Sequence, residues 1–156
     1  MSLESVRNYF KKWKMEDRIL ELPISSATVE EAATAINCEE KEIAKTMSFK
    51  INDKAILIVM AGDAKIDNSK YKAQYHTKAV MLKGDEVEQI TGHPVGGVCP
   101  FGIRSDIEVY LDESLKRFVK IYPACGSRNS AIELSLEELE KYSNYKEWID
   151  VCKGWN

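Results

Sequence analysis

The chain has 156 residues, of which 44% are hydrophobic and 30% charged, and its formal net charge is −3. This size suits one domain of ordinary globular composition, and the negative charge argues against broad, sequence-independent binding to DNA or RNA while leaving room for a local basic patch. No stretch approaches the roughly 18 apolar residues of a membrane span, and residues 1–17 lack an apolar signal region, so we expect a cytoplasmic protein without a membrane partner.

The first half of the chain predicts alternating helices and strands. Apolar residues from Leu3 to Trp13 recur at helical spacing and predict an amphipathic helix over residues 2–14. A capping-box pattern at Thr28 and Glu31 predicts a helix through about Ile36, after a short apolar run over 19–22. The further elements are a helix over 39–44, hairpin strands over 45–51 and 55–61 with a turn at 52–54, a helix over 68–74, a strand over 79–82 and a helix over 85–90.

The second half predicts three more strands and two helices. The strands cover residues 107–111, 117–121 and 130–134. A second capping box at Ser135 and Glu138 opens a helix to about Tyr142, and the spacing of Tyr145, Trp148, Ile149 and Cys152 predicts a final amphipathic helix. We therefore expect one α/β or α+β domain over 1–156, with a mixed sheet surrounded by short helices.

Residues 92–102 form the most distinctive segment, with four of the chain's eight glycines and two prolines. This composition predicts a rigid loop that offers its backbone to a ligand. The N–H groups around Gly96 and Gly97 fit an oxyanion hole, although a tight structural turn fits the same pattern. The loop matches neither a P-loop nor a dinucleotide fingerprint.

Few side chains suit covalent or metal chemistry. Four widely separated cysteines and two histidines predict no disulfide framework, structural metal or cofactor. Cys99 and His93 are a conceivable thiol–imidazole pair, but a small buried cysteine is the better interpretation of Cys99. Lys45 lies between a predicted helix and a strand, where its side chain either enters a pocket or points to solvent.

Three segments in order, 43–46 (IAKT), 61–67 (AGDAKID) and 92–102, resemble the YbaK/ProX family of aminoacyl-tRNA deacylases, which also occurs as the inserted editing domain of bacterial prolyl-tRNA synthetases. The resemblance covers about residues 26–142. It implies a mixed, mostly antiparallel sheet or partial barrel with short helices around it. It further implies a trans-editing hydrolase that cleaves the ester of misacylated tRNA, of the tRNA(Pro) type carrying a small wrong amino acid such as Cys or Ala.

The resemblance also implies roles for particular residues. Lys45 would hold the 3′-terminal nucleotide and the aminoacyl group, and the amides of Gly96 and Gly97 would stabilise the oxyanion while water or a substrate group attacks. The residues expected to bind the substrate are Thr46, Gly92, His93, Val95, Pro100, Ser127, Asn129 and Ser130. Phosphate contacts are expected chiefly from Lys65, Lys70 and Arg104, with prolyl-tRNA synthetase supplying further grip on the RNA in a ternary complex.

Several alternatives stay open. Residues 93–95 and 125–129 do not closely match the branches that edit Cys-tRNA(Pro) or Ala-tRNA(Pro), so the edited amino acid is not defined. Ser127, Asn129 and Ser130 are either pocket groups or surface-loop polars. The chain is alternatively a non-catalytic module that binds an aminoacyl-nucleotide or a synthetase, or a cysteine hydrolase that uses Cys99.

Overall fold

The computed structural model describes residues 2–155, so Met1 and Asn156, the ends of the domain predicted over 1–156, lie outside the described residues. The helices are α1 Ser2–Lys11, α2 Val29–Ile36, α3 Asn68–Tyr75, α4 Gly84–Thr91 and α5 Leu136–Tyr142. The strands are β1 Ile19–Glu21, β2 Ile43–Ile51, β3 Lys54–Ala61, β4 Lys65–Ile66, β5 Glu108–Asp112, β6 Lys120–Pro123, β7 Ser130–Ile132, β8 Leu134–Ser135, β9 Glu147–Ile149 and β10 Cys152–Lys153. None of the helices within this range is long and apolar enough to cross a membrane.

Six strands form the central sheet in the order β8, β6, β2, β3, β5, β9. Its middle is the predicted hairpin of β2 and β3, paired from Ala44 with Ala61 to Ile51 with Lys54. β3 is a buried central strand because β2 and β5 flank it, and its residues 57–61 are fully buried. Of the seven strand pairings in the described chain, four are antiparallel, and the central sheet itself mixes two antiparallel with three parallel pairings, so the expected α+β fold with a mixed sheet is confirmed.

Helices with clear local signals form where the sequence predicts them. The Thr28 hydroxyl accepts a hydrogen bond from the Glu31 N–H at 3.1 Å, which caps α2. At α5, Ser135 and Glu138 form the complete reciprocal capping box. The apolar stripe of α1 buries Val6 and Phe10, although the helix ends at Lys11 and not at residue 14.

The predicted C-terminal helix is wrong, because this segment forms β9 and β10. β9 pairs in parallel with β5 at the edge of the sheet, and β10 pairs with β4. Between them, the Val151 N–H donates to the Asp112 carboxylate at 3.0 Å. The spacing of the apolar residues suits a helix, but pairing with strands distant in sequence satisfies the backbone here instead.

Four smaller predictions also change. The helix expected over 39–44 is a 3-10 turn at Glu40–Glu42 followed by β2, and the strand expected over 79–82 is reduced to a single bridge between Met81 and Phe49. A 3-10 helix at Glu113–Arg117 displaces the strand expected over 117–121 to β6. The strand expected over 130–134 is divided into β7 and β8. In the third case the Asp112 carboxylate accepts the Ser114 N–H at 2.9 Å, which starts the 3-10 helix.

Candidate functional site

A cavity of about 290 Å³ opens beside the first half of β2, under the start of α2 and between the loops that follow α4 and β6. Its wall is mostly apolar, formed by alanine, valine, isoleucine, leucine and methionine side chains. The polar side chains on the wall belong to Ser26, Thr28, Lys45, Thr46, Ser48, Tyr122 and Ser130. Of the described residues that line it, Lys45 is the only one with a charge at neutral pH.

Lys45 enters this cavity from β2 and is half-buried. Its Nζ donates to the Gly62 carbonyl oxygen at 3.3 Å. An ammonium group has three donors, and the other two find no acceptor within residues 2–155. Burial lowers the pKa of Lys45 from its ordinary value, and the negative charge of Asp63 opposes this effect. The site therefore presents a partly desolvated amine with free donors.

The turn after β3 contains Gly62, whose carbonyl oxygen accepts the hydrogen bond from Lys45. A Cβ on Gly62 would lie 1.9 Å from the Glu40 carbonyl oxygen, so this position admits only glycine. The Arg117 guanidinium donates to both carboxylate oxygens of Asp63, at 3.0 and 2.6 Å, and to the Trp155 carbonyl oxygen at 2.7 Å. These bonds lower the pKa of Asp63 and keep its carboxylate charged beside Lys45.

This arrangement predicts a pH effect. Asp63 is one of the groups that raise the pKa of Lys45, so Asp63→Asn removes part of what opposes the lowering by burial. If Lys45 acts as a cation, the alkaline fall of kcat/KM for ester cleavage should begin at lower pH in Asp63→Asn than in the wild-type protein. The measurement is the rate above the protein-free background across alkaline pH. Asp150→Asn, at the carboxylate paired with Lys70, is the control and should leave the profile in place; identical profiles for Asp63→Asn and the wild type would contradict the coupling.

The glycine loop contributes backbone to the opposite side of the cavity. Gly96 lines the wall with φ +91°, and a Cβ there would lie 2.8 Å from the Ala27 Cβ. Val98 also lines the wall, and neither residue's N–H has an acceptor in the described part of the chain. The N–H groups of Gly96 and Val98 are thus free to meet a ligand, and their contact with an oxyanion stays a prediction.

Gly97 lies behind the wall and joins two loops. Its N–H donates to the Pro94 carbonyl at 2.9 Å, and its carbonyl accepts the Gly126 N–H at 3.0 Å. A Cβ on Gly97 would lie 2.7 Å from the Ser127 nitrogen. The Pro94–Gly97 bond closes a turn with its third residue at positive φ, a pattern that Pro-Val-Gly-Gly already indicated. A direct oxyanion contact from Gly97 stays a prediction that requires this turn to open.

The predicted substrate-binding residues divide into two groups. Thr46, Val95 and Ser130 line the cavity, whereas the following do not: Gly92, His93, Pro100, Ser127 and Asn129. Gly92 ends α4 in a left-handed conformation. The Asn129 amide donates to the Leu22 carbonyl, and the Ser127 hydroxyl lies 2.6 Å from that of Ser130. Ser127 therefore supports a wall residue, and Asn129 ties its loop to the segment before α2.

The Cys99–His93 pair forms, but inside the core. The His93 Nε2 lies 3.6 Å from the Cys99 Sγ and 2.8 Å from the Phe101 carbonyl oxygen. Both side chains have 0% exposure, and burial raises the pKa of Cys99 to about 12. A protonated, inaccessible thiol is a poor nucleophile, so the geometry disfavours a cysteine hydrolase. Residues 2–155 contain no group of three His, Cys, Asp or Glu side chains that could hold a metal ion.

The three cations predicted to contact tRNA do not form one surface. Lys65 is exposed on β4, and Lys70 pairs with Asp150 at 3.0 Å. Arg104 pairs with Asp106 at 3.1 Å and borders a depression at the β2–β3 turn, the end of β3 remote from Lys65. Phosphate contacts by these residues stay a prediction, with Lys65 the best placed relative to Lys45.

Comparison with known proteins matches nearly the same residues as the resemblance seen in the sequence. A sequence model described as the aminoacyl-tRNA editing domain matches residues 25–142. The chain is 56% identical over 156 residues to the uncharacterized protein YwhH of Bacillus subtilis (strain 168), covering 99% of each. It is 27% identical over 124 residues to a proline–tRNA ligase of Bacillus cytotoxicus, a match that covers 79% of this chain and 22% of the ligase.

A solved structure shares the fold over nearly the whole chain. It is the crystal structure of a proposed trans-editing enzyme for prolyl tRNA synthetase, with a TM-score of 0.87 and 26% sequence identity. The superposition covers 98% of both chains. β9 and β10, which follow the family match, therefore belong to a shared architecture.

Proposed function

This chain belongs to the family of aminoacyl-tRNA editing domains, and from that premise we propose that it is a trans-acting aminoacyl-tRNA deacylase. Its substrate is tRNA of the tRNA(Pro) type that carries a small wrong amino acid such as Cys or Ala. One observation carries the proposal: a single cavity has a half-buried lysine on one side and unpaired backbone N–H groups on the other.

The arrangement suits ester hydrolysis without a side-chain nucleophile. A water molecule, alone or assisted by a group of the substrate, attacks the ester carbonyl; the bond to the ribose oxygen of the 3′-terminal nucleotide then breaks, and that oxygen takes up the proton lost by the water and leaves as a hydroxyl. Gly96 and Val98 N–H groups stabilise the oxyanion, since preorganised donors act strongly in a partly desolvated site. Lys45 binds the phosphate or ribose of that nucleotide and holds the ester in place, with Thr46 next to it on the wall.

The cavity's size and lining support a small, uncharged amino acid. With about 290 Å³ and a mostly apolar wall, it accommodates a Cys or Ala side chain, whereas a basic side chain would lose hydration there without a partner and an acidic one would compete with the nucleotide for Lys45. Two wall hydroxyls are available to bond a thiol or hydroxyl: that of Ser130, which is supported by Ser127, and that of Thr46, which is buried and has no partner in the described part of the chain. The likeness to proline–tRNA ligases and to the proposed trans-editing enzyme supports prolyl-tRNA synthetase as partner in a ternary complex.

The test is a panel of tRNAs charged with alanine, cysteine, serine and threonine, including tRNA(Pro). We expect protein-dependent release of at least one amino acid, and the release should decrease when Lys45 is replaced by alanine. No cleavage above background for any pair would contradict the proposal. Saturable binding of an aminoacyl-adenosine analogue without turnover would favour the non-catalytic module.

Thiol alkylation tests the remaining catalytic alternative. Cys99, Cys125 and Cys152 are buried, and Cys38 is partly exposed. Treating the folded protein with iodoacetamide should therefore leave deacylation within about twofold of the untreated rate, with mass spectrometry reporting adducts mainly at Cys38. Cys38→Ser is the control that removes the accessible thiol. Inactivation in step with an adduct at Cys99 would restore the cysteine mechanism.

A further inference from the structure

Two lysines lie directly opposite each other on the ribbon formed by β4 and β10. The register pairs Lys153 with Lys65, and both side chains are exposed. Like charges opposite each other on neighbouring strands destabilise the pairing. Neither lysine has a carboxylate within ion-pair distance in the part of the chain that the structure describes.

The acidic side chains of this surface are engaged elsewhere. Asp150 pairs with Lys70 at 3.0 Å, and Asp63 pairs with Arg117 at 2.6 Å. On the neighbouring 3-10 helix, Glu113 pairs with Lys116 at 3.0 Å. The ribbon thus keeps two positive charges without protein counter-charges, although acidic residues surround it.

These charges adjoin the candidate site. Lys65 follows the turn whose Gly62 carbonyl accepts Lys45 Nζ. The charge on Lys65 contributes to lowering the pKa of Lys45, which places the two amines within electrostatic reach. β10 lies beyond residue 142, where the match to the editing-domain family ends.

We propose that Lys65 and Lys153 form a binding site for the phosphodiester backbone of the tRNA 3′ strand, next to Lys45. The proposal rests on the proposed function and adds Lys153, from outside the family match, to the residues that hold the substrate. Phosphates between the two ammonium groups replace mutual repulsion with two attractions, and the strand then leads toward the cavity. The net charge of the chain is −3, yet these two lysines stand together without carboxylate partners. A nucleic-acid backbone that binds there gives a reason for this local positive charge.

The test is the salt dependence of binding to tRNA(Pro) that carries no amino acid. Fluorescence anisotropy measures the affinity over a series of NaCl concentrations. A single strand that loses one lysine–phosphate contact loses about 0.7 from the slope of log affinity against log salt. We expect a slope reduced by about 0.7 for Lys65→Gln and for Lys153→Gln, and by about 1.4 for the double variant. Lys116→Gln, at a lysine already in an ion pair, is the matched control and should keep the wild-type slope.

The outcomes separate this site from the enzymatic proposal. A double variant with the wild-type slope, an equal loss in the Lys116→Gln control, or a wild-type slope of zero would overturn it. If the slopes change as expected while no charged tRNA is cleaved, the phosphate site stands and the deacylase proposal fails. If charged tRNA is cleaved but the salt slope and kcat/KM are unchanged in the double variant, the deacylase proposal stands and the phosphate site fails. Each single variant relieves repulsion and should fold at least as stably as the wild type, which thermal unfolding checks.

Discussion

Replacing Lys45 with methionine should lower kcat/KM for a misacylated tRNA by about 10²-fold or more, a loss comparable to removing one preorganised donor from an oxyanion site. Lys45 is the single charge on the described cavity wall, so no neighbour there substitutes for it. Methionine preserves most of the side chain's apolar packing. Lys45 has no ion-pair partner in residues 2–155, so we expect the free energy of unfolding to change by less than about 1 kcal/mol.

Single-turnover deacylation and urea unfolding measure these two quantities. Lys50→Met is the matched control, because Lys50 lies exposed on the same strand and outside the cavity, and it should keep near wild-type activity. Lys45→Arg keeps the charge but changes its shape, and should recover part of the loss. A Lys45→Met variant with activity within twofold of the wild type would remove Lys45 from the mechanism.

Elements with local signals could be predicted from the sequence. α2 and α5 begin where capping residues satisfy the first backbone N–H groups, and those contacts involve residues three positions apart. The hairpin of β2 and β3 likewise depends on neighbouring segments. The C-terminal segment could not be predicted in this way, because β9 and β10 depend on partners at β5 and β4 that are remote in sequence.

The site shows the same division. Lys45 and Gly96, which the sequence assigns to the site from their motifs, line one cavity, and their roles there stay a prediction. It missed Val98 as a free donor, and it assigned the buried His93 to the substrate. In both cases the deciding fact is the direction in which the loop folds: it leaves the core after His93, turns at Pro94–Gly97 and enters the core again at Cys99. Composition alone does not carry that direction.

The contact between the two loops at Gly97 gives the second large expected effect. A Cβ at Gly97 would lie 2.7 Å from the Ser127 nitrogen and 2.8 Å from the Ser127 carbonyl carbon and oxygen, all of them backbone atoms. Gly97→Ala should therefore separate the loops and weaken the hydrogen bond from Gly126 to Gly97. Overpacking of this kind costs about 1–3 kcal/mol of unfolding free energy. Because the displaced wall carries the Gly96 and Val98 donors, kcat/KM should fall by about 10²-fold, the effect of a misplacement near 1 Å.

Gly84→Ala separates this contact from the general effect of adding a methyl group to a glycine. Nothing lies within 4 Å of a Cβ at Gly84, which begins α4, so its free energy of unfolding should stay within about 0.5 kcal/mol of the wild type or rise. Urea unfolding of both variants measures the loss of stability. Single-turnover deacylation by Gly97→Ala, without urea and at a temperature at which the variant is folded, then shows whether the displaced wall lowers the rate. If folded Gly97→Ala cleaved the ester at the wild-type rate, the N–H groups of this loop would not be the donors that stabilise the oxyanion, and Lys45 would have to account for catalysis without them.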